Sequence, residues 1–278
     1  PSRDDIRYAS KFLGSDAALE FARFSLDGSL YRRISDDIIL AMRLRVGGVV
    51  GPTFAIDAAE RFVPAQERLF AGGPTTVRGF RQNELGPAVY IPEAYDTLGV
   101  AGGKVSGFDV GDTVYFQASD SGGRRAVPTG GNAMVVGNIE LRFDSPVFPE
   151  LLSLVAFADA GRVWNRGLGV ERLRFTTLAV TPGFGVRLRT PVGQIRADVG
   201  YNQYRPTAGA AYFDAPLTEG GALYCVSPGN TLAVTKVIEG GIARVVQAGG
   251  TCPGTYQPRR AENVLSRLTF AFAIGQAF

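Results

Sequence analysis

Apolar and polar residues alternate along much of this chain with a period of two. In residues 37–47, Ile38, Leu40, Met42, Leu44 and Val46 point one way, and Ile39, Ala41, Arg43 and Arg45 the other. In residues 133–144, Val135, Gly137, Ile139, Leu141 and Phe143 share a face opposite Val136, Asn138, Glu140, Arg142 and Asp144. In residues 180–190, Phe184, Val186 and Leu188 oppose Gly183, Gly185, Arg187 and Arg189. In residues 192–202, Ile195, Ala197, Val199 and Tyr201 oppose Gln194, Arg196, Asp198 and Gly200. In residues 264–278, Leu268, Phe270, Phe272 and Ile274 oppose Arg267, Thr269, Ala271 and Gly275. Successive side chains of a strand leave opposite faces, so this is a strand pattern. Residues 19–31 and 151–164 follow it less cleanly.

These segments predict about seven strands of about 10–14 residues, where soluble strands run about 5–6. Tilted strands of about 9–11 residues cross a bilayer. One face is apolar and the other carries charges and glycines, the apolar-out, polar-in pattern of a membrane barrel. A soluble sandwich, the alternative, hides its apolar faces under a second sheet. The connections alternate in length: residues 32–36, 145–150 and 190–192 are short, 165–176 moderate, and 51–131 and 203–263 long. Short turns at one end and long loops at the other are the barrel layout, with the long loops extracellular. Trp164 and Tyr201 then fall near the extracellular ends of the apolar face, and Phe143 and Phe278 near the periplasmic ends, as aromatic girdles require.

Composition narrows this picture. The chain has 278 residues and 36 glycines, a glycine content unsuited to helices. Net charge is only +3 and the basic residues are scattered, so no nucleic-acid partner is expected. Histidine is absent, which removes imidazole catalysis and the commonest metal ligand. No catalytic, metal or cofactor site is expected. Cys225 and Cys252 share one polar, Gly-rich segment. They read as a disulfide in an oxidising compartment, the alternative being two unpaired thiols. The chain opens on Pro1 without a signal peptide, which reads as a processed form or a fragment.

A series of ordered motifs carries a resemblance. "RLFAGGPTTVRGF" at residues 68–80 resembles the signature loop of the BamA-type outer-membrane barrels, the bacterial surface-antigen superfamily of assembly and secretion proteins. Val77, Arg78, Gly79 and Phe80 match its V-R-G-F/Y motif. "GGNAMVVGNIELRFDSPVF" and "LVAFADAGRVW" resemble the next two strands. "GFGVRLRTPVGQIRADVGY" and "FAFAIGQAF" resemble the final hairpin and last strand.

The resemblance implies an all-β, antiparallel transmembrane barrel with the long loop folded into its lumen. The family barrel is larger than seven strands, so residues 1–278 are expected to be its C-terminal portion, without upstream strands or POTRA domains. The loop arginine, Arg78, is expected to meet Glu140 and Asp159, which share inward parity on neighbouring strands; otherwise it is a solvated loop charge. Gly79 omits a Cβ where the loop approaches the wall. Arg43, Arg45, Arg142, Arg187, Arg189, Arg196 and Asp198 are read as lining a hydrated lumen. The last strand, with Phe270, Phe272, Gly275 and Phe278, is expected to form one side of a lateral seam. The implied function is to help outer-membrane proteins fold and insert. Alternatives are a two-partner-type polypeptide secretion pore, and a barrel that anchors or exports a fused upstream enzyme. Implied partners are the outer-membrane bilayer, unfolded outer-membrane or secreted clients, and accessory lipoproteins or periplasmic proteins.

Overall fold

A computed structural model describes residues 21–50, 63–166, 177–191, 193–216, 221–259 and 263–275. Phe278 and the start of the first predicted strand lie outside the described residues. In chain order the strands are β1 (Ala22–Ser35), β2 (Ile38–Val50), β3 (Ala88–Pro92), β4 (Tyr95–Gly99), β5 (Val114–Ala118), β6 (Arg124–Pro128), β7 (Ala133–Asp144), β8 (Leu152–Trp164), β9 (Ala179–Thr190), β10 (Gly193–Tyr201), β11 (Tyr212–Asp214), β12 (Leu223–Cys225), β13 (Val234–Glu239), β14 (Ile242–Gln247) and β15 (Leu268–Ile274). They divide between two compact units.

The first unit takes Pro1–Gly86, Gly130–Tyr204 and Ala261–Phe278. Its sheet has seven strands in the order β1-β2-β7-β8-β9-β10-β15. Every neighbouring pair is antiparallel. Sequence neighbours thus pair through hairpins, with β1 and β15 as the two edges among the described residues. The register follows the alternation. Glu140 lies opposite Phe157, Asp159 opposite Thr181, Gly185 opposite Asp198, and Gly200 opposite Thr269. All of these occupy one face, the inner one. The outer face carries Leu44, Ile139, Leu154, Phe184, Phe270 and Ile274, all exposed, and Phe272 at 74%. Such a band has no second sheet over it, which argues against the sandwich and for a lipid-facing wall. The last strand begins later than predicted, because Leu265–Arg267 form a short 3-10 turn ahead of it.

The second unit, Pro87–Thr129 and Arg205–Arg260, is built from the two long loops. Sequence alternation left both as loops. They carry short strands: a sheet ordered β14-β13-β5-β4 and the pairs β3-β6 and β11-β12. Strands of 3–6 residues give too few repeats for a period to stand out. Val114 of β5 pairs with Val234 of β13, so the two loops share one sheet. An aromatic cluster fills this unit: Tyr95 lies 4.3 Å from Phe116 and 4.7 Å from Phe213, and Phe116 lies 5.5 Å from Tyr224, between ring centroids. Edge and tilted ring contacts of this kind add about 0.5–1.5 kcal/mol each beyond buried area. Cys225 and Cys252 are joined by a disulfide with their Cα atoms 5.6 Å apart. The Cys225 amide donates to Gln247 Oε1 at 2.6 Å, while Gln247 Nε2 donates back to the Cys225 carbonyl at 2.9 Å.

Candidate functional site

The candidate site is where residues 72–80 meet the inner face of the first unit's sheet. The loop is shaped locally before it touches the wall. Gly72 and Gly73 adopt φ of 105° and 100°, conformations that suit glycine. The Gly72 amide donates to Thr76 Oγ1 at 2.8 Å, the Gly73 amide to the Phe80 carbonyl at 3.0 Å, and the Phe80 amide to the Val77 carbonyl at 3.1 Å. This compact turn aims Val77 and Phe80 into an apolar cluster with Leu85, Val136 and Val163. It leaves Arg78 facing the wall.

Arg78 is 1% exposed. Its Nε and Nη2 donate to the two oxygens of Asp159, each at 2.8 Å, a two-pronged match of planar fork to carboxylate. Its Nη1 donates to Glu140 Oε2 at 2.7 Å. The Arg78 backbone amide also donates to Asp159 Oδ2, at 2.9 Å. The guanidinium carbon sits 3.4 Å from the centroid of the Phe157 ring, which takes the cation on its face. Phe157 fits because Gly183 stands opposite it in the register. Both carboxylates are fully buried. Burial by itself would lower the arginine's proton affinity; the hydrogen bonds and charge of Asp159, then Glu140 and Asp198, outweigh it and push Arg78 above its usual range.

Neutral groups complete the contact. Asn138 Nδ2 bridges the Thr76 carbonyl at 2.5 Å and Asp159 Oδ1 at 2.8 Å. Thr269 Oγ1, on β15, donates to the Gly79 carbonyl at 2.9 Å. The loop backbone touches the wall where side chains are missing. A Cβ on Gly200 would lie 2.7 Å from the Gly79 nitrogen and 2.8 Å from the Arg78 carbonyl carbon. A Cβ on Gly79 would lie 2.5 Å from the Thr181 Cβ. Gly200→Ala is therefore expected to lift the loop while every charge stays in place. Overpacking of this kind costs about 1–3 kcal/mol. Protease cleavage within residues 68–85 should rise in that variant at unchanged barrel content; cleavage equal to wild type would contradict the close contact.

Sequence reasoning missed part of this site. Arg187 and Asp198 are not solvated lumen charges but are buried in the network around Arg78. Arg187 Nη1 donates to Asp198 Oδ1 at 2.6 Å, and its Nη2 reaches Glu140 Oε2 at 3.4 Å. Asp198 Oδ2 lies 3.8 Å from Arg78 Nη1. Arg142 Nε donates to Glu140 Oε1 at 2.7 Å. Arg196 is buried as well. The signal was present as parity, since Glu140, Asp198, Arg187 and Arg142 share Arg78's side of the sheet. Parity does not report how far the loop fills the space above them. Arg43 and Arg45 do sit near solvent and pair with Asp27 of β1, at 2.5 and 2.8 Å. Phe270 and Phe272 lie on the outer face of the edge strand β15, away from the lock, and Gly275 follows it with φ of 97°.

The profile of the Omp85 superfamily domain matches residues 5–214 of this chain. The chain belongs to the Omp85 superfamily, the BamA-type barrels. Among solved structures it is similar to BamA from Haemophilus ducreyi lacking POTRA domains 1–3. Identity there is 17%, with 66% of this chain and 32% of that chain covered, at a TM-score of 0.44. The chain thus spans about a third of the length of that structure. Superfamily membership places this antiparallel β protein in the bacterial outer membrane, within a superfamily of protein insertion and secretion.

Proposed function

We propose that this Omp85-superfamily chain helps other outer-membrane proteins fold and insert, and that the Arg78 loop keeps its wall in working order. The observation that carries this reading is the buried lock itself. Three hydrogen bonds from one guanidinium reach two buried carboxylates contributed by different strands. The loop therefore ties β7 and β8 together from inside, with Asn138 and Phe157 as further anchors on the same strands. Through Thr269 it also holds the edge strand β15. An edge strand offers unpaired backbone groups to an incoming strand, and a client β-strand is the natural partner for them. Lipid on the outer face, unfolded clients at the edge and accessory lipoproteins or periplasmic proteins are the partners this reading implies.

The test is depletion of the protein in its host, followed by quantitative profiling of the outer membrane. Loss of many unrelated barrels, at unchanged transcript levels, is the expected result. Accumulation of a single secreted polypeptide in the periplasm, with other barrels unchanged, would instead favour a secretion pore and sink the assembly reading.

A further inference from the structure

The inner wall holds a buried cation with no carboxylate bound to it among the described residues. Around it, Arg78, Arg142, Arg187 and Arg189 each have a carboxylate in reach, at 2.7, 2.7, 2.6 and 2.8 Å. Arg196 has none among the described residues. It is 2% exposed, and its Nε and Nη1 are buried with no hydrogen-bond partner. Directly across the ladder it meets no acid. Arg187 lies directly opposite on β9 and Ala273 directly opposite on β15. Two like charges facing each other across a ladder repel. A buried donor without an acceptor loses about 1–3 kcal/mol, more when charged.

A second observation lies beside it. One register step toward the short turns, a cavity of about 170 Å³ opens on the same wall, lined by Arg142, Arg187, Arg189 and Gln194 together with Asp37 and Asp144. Gln194, opposite Arg189, is the next inward residue to Arg196 on β10, and Arg187 is the cross-strand partner of Arg196. Arg196 does not itself line the cavity, but its neighbours Gln194 and Arg187 do, so the unmatched guanidinium stands beside it. The planar fork matches an oxyanion through paired N–H···O bonds. Asp37 and Asp144 face the same space, which disfavours a second negative charge and selects a monoanion over a dianion.

We propose that this part of the inner wall is a carboxylate-binding site, with Arg196 as the principal donor and Arg187 and Arg189 lining the approach. The proposal stands on the wall geometry alone and does not depend on what the protein does to its clients. An acidic side chain and a chain terminus offer the same carboxylate chemistry to it.

The experiment uses the full chain in micelles with ¹⁵N-labelled arginine, at constant ionic strength held with chloride. Acetate is titrated while the guanidinium Nε–H resonances are followed, with acetamide as the uncharged control and inorganic phosphate as the dianion. Peptides then separate the sources, one with a single aspartate and an amidated end, one with a free C-terminus and no acidic side chain. A saturable shift of one buried resonance with acetate and not with acetamide is expected. Arg196→Gln should remove that resonance and weaken acetate binding at least tenfold. The wild-type titration decides the matter even if that variant fails to fold. Identical responses to acetate and acetamide, or saturation by phosphate alone, would overturn the proposal. So would an Arg196 resonance unmoved by any anion, the result expected if water alone solvates it.

Discussion

Arg78→Ala is expected to release residues 72–80 from the wall and to abolish the protein's function while leaving the seven-stranded sheet assembled. The reason is what the substitution leaves behind. Asp159 and Glu140 are both fully buried, and the guanidinium supplies three of their hydrogen bonds at 2.7–2.8 Å. Removing one partner of a buried ion pair destabilises by about 3–5 kcal/mol, because the remaining charge keeps its desolvation penalty without its counterion. At about 1.4 kcal/mol per tenfold, that shifts the docked-to-undocked ratio by more than about 100-fold. Water would enter with the loop displaced, so the loss falls on loop docking rather than on the sheet. Trypsin cleavage after Arg81 reads the undocked state, and complementation of a depleted host reads function. Arg78→Lys should be intermediate in both, since an ammonium is a point charge that cannot grip Asp159 with two prongs and reach Glu140 as well. Unchanged cleavage and full complementation by Arg78→Ala would refute the lock.

The second large effect belongs to the other unit. Replacing Cys225 and Cys252 with serine is expected to destabilise it by roughly 3–4 kcal/mol, as the chain-entropy account predicts for a loop of this size. The bridge ties β12 to the chain just after β14, across a sequence separation of 27. What it braces is small: the apolar cluster around Phe116, Tyr224 and Val234 is fed by strands of only 3–6 residues. A core of that size leaves little margin once the crosslink is gone. Limited proteolysis of residues 205–259 before and after reduction measures it. Equal resistance in both states, or labelling of both thiols in unreduced protein, would contradict the expectation.

How much of this was legible in the sequence differs by element. Long strands with one apolar face could be read directly, because each supplies several repeats of the same alternation. The pairing order followed from hairpin connections, and the outward placement of Phe270, Phe272 and Ile274 from parity. The 72–80 loop was legible only through its motif. No local rule states that a loop turns inward, and Arg78 alone is a polar residue like any other. Parity then supplied Glu140 and Asp159 as partners within reach. It could not supply Arg187 and Asp198, whose burial depends on the bulk of the loop and on Gly185 and Gly200 leaving room. The second unit was illegible for another reason. Its pairing of Val114 with Val234 joins segments 120 positions apart, and neither strand is long enough to announce itself.

The most direct test of the lock is hydrogen exchange at the Arg78 backbone amide in the native, membrane-inserted protein. That amide donates to Asp159 Oδ2 at 2.9 Å from within a loop, where no strand ladder protects it. The account predicts slow exchange, comparable to the central amides of β8, and a rise of at least 100-fold on Arg78→Ala. Fast exchange in the wild type, at the rate of an exposed loop, would contradict it.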